Sequence, residues 1–317
     1  MRIVPVLFPS DLGHSERGRW STGGERGAPD LLLDVLEGEG VRFAPPVPVA
    51  VPEPEAPDEE DAPLKFDALI AQAVTALADA VEAINAEANF PLVLGGDAVT
   101  LMGHVLGHSR RHAGGIGLAV LSDAHLDLEA PGLPAWDDKA ALRQDPERPR
   151  TGDAARMALS GALRLIPEAH ALGRVMAGSS VRTNHTSVAG VRAPTTAQIR
   201  RHEKQLPLEN WTMERIEFDG ESAYRSVLTQ HLSRGPIVLS VDVGGLDPDL
   251  MTAVRGPVPD GLDWSFLKRT LEQCLPHVDR ILGLDICELD PTRDDAHQGA
   301  LIRFAETVAP FLRKLGR

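Results

Sequence analysis

The 317-residue sequence predicts an α/β protein with three layers, a central parallel sheet held between helices on both sides. Three observations carry that expectation. Short runs rich in Val, Ile and Leu, bounded by Gly, Pro or Asp, have the character of strands buried on both faces. Segments with helical apolar spacing lie between them, and strand–helix alternation implies a parallel sheet. Polar and acidic residues cluster where several of the apolar runs end, and in an open parallel sheet those ends face one crevice.

The elements follow in order. "RIVPVLF" (2–8) contains one basic residue and a Pro-broken apolar run with no small-residue cleavage site after it. It reads as a first strand, not a signal peptide, and a cytoplasmic protein is expected. "APPVPVAVPEPEAPDEEDAP" (44–63) combines proline with acids, which favours an extended, solvated surface loop without catalytic interest. In "DAPLKFDALIAQAVTALADAVEAIN" (61–85), Asp61 suits a cap and Pro63 a first turn. Leu69, Ile70, Val74, Leu77, Val81 and Ile84 then form a helical stripe.

"FPLVLGG" (90–96), "GIGLAVLSD" (115–123), "GRVMAGSS" (173–180), "GPIVLSVD" (235–242) and "RILGLDICE" (280–288) are the remaining expected strands. His104, His108 and His112 lie four apart, on one face of a helix, and read as a solvated helix end. Residues 129–152 form a long polar connection of the kind that walls a binding crevice. No repeat interrupts the pattern, so one domain over 1–317 is expected.

Composition excludes several classes. With 46 acidic against 32 basic residues, the net charge of −14 repels nucleic acid and anionic membranes, and there is no basic stripe to offset it. No stretch approaches the roughly 20 apolar residues of a membrane span. Cys274 and Cys287 have no ligand-like spacing and read as buried, inert thiols.

The chemistry concentrates at "LSDAHLDL" (121–128). Alternate residues of an extended backbone share a face, so Asp123, His125 and Asp127 converge on one volume and invite a cation. Asp97, Asp242, Asp247, Asp285 and Glu288 sit at or just beyond other strand ends. Carboxylates gathered there repel one another without a cation, and oxygen ligands with one imidazole suit Mn²⁺ or a similar divalent ion. Each acid alone is equally readable as a cap or turn former, with Asp97 and Asp247 satisfying backbone amides.

"GGDA", "SDAHLD", "SVDVGGLDPD", "GPVPDGLDWSFL" and "GLDICELDP" occur in the order and spacing of the ureohydrolases, the arginase and agmatinase family, which this chain resembles over nearly its whole length. "GERGAPDLLLDVLE" (24–37) is similar to that family's early Gly-Pro loop and first helix. The resemblance implies the arginase/deacetylase-like fold, hydrolysis of a guanidino group by two Mn²⁺ ions sharing a hydroxide, and assembly into homotrimers or hexamers. It further implies Asp123 and Asp242 as bridging ligands, Asp127 on the first ion, His125 on the second, and Glu288 on the substrate guanidinium.

Departures fall on the same machinery. Ala98 stands where the family has a ligand histidine, Gly244 where it has a ligand aspartate, and Ala155 where it has a proton-shuttle histidine. Disturbing even a partner of a metal ligand costs roughly 10–100-fold. One divalent ion, or none, is therefore expected instead of two. Two functions follow: a C–N hydrolase acting on a guanidino, amidino or related amide substrate through a reduced metal site with Asp123 and Glu288 catalytic, or an inactive homologue (a pseudoenzyme) with a binding or regulatory role. In both, the partner is a small molecule.

Overall fold

The computed structural model describes residues 2–14, 24–55, 58, 62–129, 131, 152–194 and 197–316. Eight strands form one sheet: β1 (Ile3–Phe8), β2 (Val47–Pro48), β3 (Phe90–Gly95), β4 (Ile116–Ser122), β5 (Val181–Val191), β6 (Glu209–Thr212), β7 (Ile237–Asp242) and β8 (Ile281–Cys287). Their order is β2-β1-β3-β8-β7-β4-β5-β6, and every pairing is parallel. The expected three-layer α/β/α architecture is the one observed.

Pleat alternation divides the core. Ile3 and Leu7 of β1 join Leu92 and Leu239 on one face, whereas Val4, Val6 and Phe8 join Val93 and Val238 on the other. The first face is covered by α1 (Gly24–Gly38), with Leu32 and Leu36, and by the C-terminal helix Gly299–Leu315, with Phe304 and Val308. The second is covered by α2 (Asp67–Ala86) and α3 (Thr100–Ser109). Cys274 and Cys287 are free and buried. Among the described residues no helix is long and apolar enough to cross a membrane.

Several local expectations are corrected. "GRVMAGSS" is not a strand: Ala171–Met176 is helical, because the Asp67 carboxylate accepts the Ala171 and Leu172 N–H groups at 2.7 and 2.8 Å and caps it from another part of the chain. The strand follows at β5. Its polar His185, Thr186 and Ser187 are buried between β4 and β6, which hides its strand character. Helix α2 starts at Asp67, not near Pro63, since Phe66 at φ +52° breaks the helical backbone. Of its expected stripe, Ile70, Val74, Leu77, Val81 and Ile84 are buried and Leu69 is partly so. The 44–63 connection contributes the edge strand β2; its Asp61, and nearly all of 129–152, lie outside the described residues.

His104 and His108 are fully buried, not solvated. Gly103 and Gly107 let α3 press on Leu77 and Val81 of α2, which turns both rings toward β8. There His104 Nδ1 donates to Asp285 at 2.6 Å, and the Asn85 amide donates to His108 Nδ1 at 2.8 Å. Asp285 consequently belongs to this interior cluster, with Ser240 donating to it at 2.6 Å, and not to the crevice: it lies within β8, opposite Val93 and Ser240, instead of at the strand's end.

Candidate functional site: a carboxylate crevice at the strand ends

A cavity of about 270 Å³ opens where β3, β4, β7 and β8 end. Its walls include His125, Asp127, Asp242 and Glu288, together with Ala98, Ala155 and Gly244 at the three departures. Asp123 and Asp242 close the ends of β4 and β7. Each carboxylate folds back on its own turn: Asp123 Oδ1 accepts the His125 N–H and Asp242 Oδ1 the Gly244 N–H, both at 2.7 Å. Asp127 has φ +47° and Glu288 φ +65°, so two of the site's acids sit in a backbone region that side chains disfavour.

The surrounding loops are fixed by backbone satisfaction. Asp97 accepts the Gly13 N–H at 2.6 Å and the Ser10 hydroxyl at 3.0 Å, and Asp247 accepts from Gly261 at 2.8 Å, as expected of turn formers. Arg192 donates to the carbonyls of Gly244, Gly245 and Leu246 at 3.2, 2.9 and 3.0 Å, and to Val258 at 2.6 Å. Gly245 presses on Ser122 and the Asp123 N–H so closely that a Cβ there would stand 2.2 and 2.3 Å from them.

The electrostatics are those of crowded acids. Burial pushes the Asp123 carboxyl well above the usual range, and the Asp242 and Asp127 charges add to it. Asp242 is raised in the same way by burial, then by Glu288 and Asp127. Asp127 is pushed up to about 8 by burial, opposed by the Arg156 guanidinium. Glu288 differs: burial would raise it, but His14, the Ala98 N–H and Arg255 hold it below the ordinary carboxylate value.

No sequence signal points to His14, Arg156 and Arg255 in the wall of this crevice, or to Glu25 beside it. His14 Nε2 contacts both Glu288 oxygens at 3.1 and 3.2 Å across 274 residues of sequence, a separation over which no motif or periodicity speaks. Arg255 Nη1 lies 3.5 Å from Glu25 Oε2. Mutual attraction raises the His14 imidazole well above its ordinary value despite its burial, through Glu288 first and Glu25 next.

The residues present do not fit a pair of ions. Ala98 and Gly244 offer no lone pair, and no three of Asp123, His125, Asp127 and Asp242 bring donor atoms within 4.8 Å of one another. His125 Nδ1 is 4.0 Å from Asp123 Oδ1. The fold gathers the four predicted ligands at one crevice without closing them around a centre.

A parallel eight-stranded sheet with this crevice at its carboxyl edge defines the class, a protein of the ureohydrolase fold. The sequence profile of the Arginase family matches residues 3–309. The chain belongs to the arginase family. Arginase from Bacillus caldovelox superposes with a TM-score of 0.78 at 23% identity, covering 100% of this chain and 98% of that one. Entamoeba histolytica arginase in complex with L-ornithine gives 0.75 at 18%, covering 98% of each chain. A hypothetical agmatinase from Burkholderia thailandensis gives 0.70 at 15%, covering 99% of this chain and 85% of that one. No curated protein matches the chain.

Proposed function

We propose that this chain is an arginase-family protein whose crevice binds a small cationic molecule bearing a guanidino, amidino or amino group, without the family's two-ion hydrolysis. One observation carries the reading: Ala98, Ala155 and Gly244 line the same cavity as Asp127, Asp242 and Glu288. The acids that attract a cation persist where the groups that would activate water are gone. One domain and a cytoplasmic location, both expected from the sequence pattern, and a homotrimer or hexamer, implied by the family resemblance, belong to this proposal.

The second reading is a C–N hydrolase working with a single divalent ion, such as Mn²⁺, at Asp123, His125, Asp127 and Asp242, with Asp123 and Glu288 catalytic. It is favoured by the mutual repulsion of Asp123, Asp127 and Asp242, which a cation would relieve. Urea release from L-arginine and agmatine with added MnCl₂ separates the two, beside thermal shifts with the same molecules and L-ornithine. The binding reading expects raised melting temperatures and no urea above the blank. Metal-dependent urea release that disappears in Asp123→Asn would establish the hydrolase instead.

A further inference from the structure

Three segments remote in sequence deliver side chains to one point beside the crevice: His14 after β1, Glu25 in the first turn of α1, and Glu288 after β8. His14 Nε2 is 3.1 and 3.2 Å from Glu288 Oε1 and Oε2, and 3.3 Å from Glu25 Oε1. Among the described residues this is the one group of three or more His, Cys, Asp or Glu side chains whose donor atoms all lie within 4.8 Å.

One imidazole N–H cannot satisfy all of these acceptors at once. A single N–H lies in line with one acceptor, and charge-assisted N–H···O contacts run about 2.7–2.9 Å. Here three oxygens surround one nitrogen at 3.1, 3.2 and 3.3 Å, and its N–H can point at only one of them. Glu25 is 3% exposed, yet its Oε1 receives no hydrogen bond. Arg255 approaches the other oxygen, Oε2, and leaves Oε1 directed at His14 and Glu288. Around a divalent ion with bonds near 2.1 Å, neighbouring donors stand about 3.0 Å apart in octahedral and about 3.4 Å in tetrahedral geometry, the range of the His14–Glu288 and His14–Glu25 separations.

We propose that His14, Glu25 and Glu288 form a mononuclear site for a divalent cation of the Mn²⁺ or Zn²⁺ type, distinct from the Asp123–His125–Asp127–Asp242 group. One imidazole and two carboxylates form a donor set suited to either ion. The site goes beyond the ligand-binding reading and does not depend on it, because the ion is counted without any organic ligand or turnover. Glu288, which the family resemblance assigns to a guanidinium and which lines the crevice, is shared between the crevice and this site.

The test is isothermal titration calorimetry of the full chain, stripped with EDTA, against MnCl₂ and ZnCl₂, with elemental analysis for stoichiometry. The wild type is expected to take up one ion. His14→Ala and Glu25→Gln should weaken uptake at least about 10-fold. The double variant Asp123→Asn/Asp242→Asn should retain it. His14→Gln, with circular dichroism of every variant, separates loss of a ligand from loss of fold. No uptake by the wild type, uptake unchanged in folded His14→Gln and Glu25→Gln, or uptake that also requires Asp123 and Asp242 would each overturn the site.

Discussion

The Ala98 backbone N–H donates to Glu288 Oε1 at 2.7 Å, so the position that lacks the family's ligand histidine still grips the acid opposite. The main chain of "GGDA" thus retains a role in the crevice while its side chain has none.

That relationship predicts the outcome of restoring donors. A Cβ at Gly244 would meet only the Asp242 carboxylate, Oδ1 at 2.9 Å and Cγ at 3.9 Å, the movable end of a side chain, so an aspartate can be placed there. Ala98→His combined with Gly244→Asp is expected to gain Mn²⁺ affinity of at least about 10-fold over the wild type, read by titration calorimetry. No gain would mean that the strand ends no longer hold ligand spacing.

Asp97 sets a pH dependence. Burial raises its carboxyl to about 7 from an ordinary value of 3.8, against the lowering effects of His14 and the Gly13 N–H. A folded pKa above the unfolded one means that the native state binds the proton more tightly, so Asp97's contribution to stability falls as pH rises between about 4 and 7. Asp97→Asn removes that slope while an amide oxygen can still accept from Gly13. Melting temperatures at pH 5 and 8 should differ less in the variant than in the wild type; an unchanged difference would refute the assignment.

Gly283 should not tolerate a methyl group. A Cβ there would stand 2.5 Å from His104 Nε2, 2.8 Å from His108 Nε2 and 3.0 Å from the Pro91 carbonyl, all in fully packed surroundings. Gly283→Ala is expected to cost about 1–3 kcal/mol, measured by denaturant unfolding, because neither buried ring can retreat.

Arg192 ties the loop after β7 to the rest of the crevice. Its guanidinium spans four carbonyls of the Gly244–Leu246 and Val258 segments, and donates to Pro259 at 2.8 Å as well. Lysine cannot reproduce that fork. Arg192→Lys should lose about 1.5–3 kcal/mol and expose residues 244–259 to limited proteolysis. Wild-type resistance in that segment would show the clamp to be dispensable.

The layered parallel architecture, most strand positions and the meeting of Asp123, His125, Asp127, Asp242 and Glu288 at one edge were legible in the sequence. These follow from short-range regularities: apolar runs, helical spacing, and the rule that parallel strands end on one side. Legibility failed where an element owes its form to distant groups. The helix at Ala171 is capped by Asp67, and β5 is a strand because β4 and β6 pair with it despite its polar residues. Packing in three dimensions makes His104 and Asp285 an interior pair and gathers His14, Glu25 and Arg255 around Glu288. Contacts between side chains 181 or 274 residues apart depend on how distant elements and loops pack over the sheet, and no local pattern in the chain encodes them.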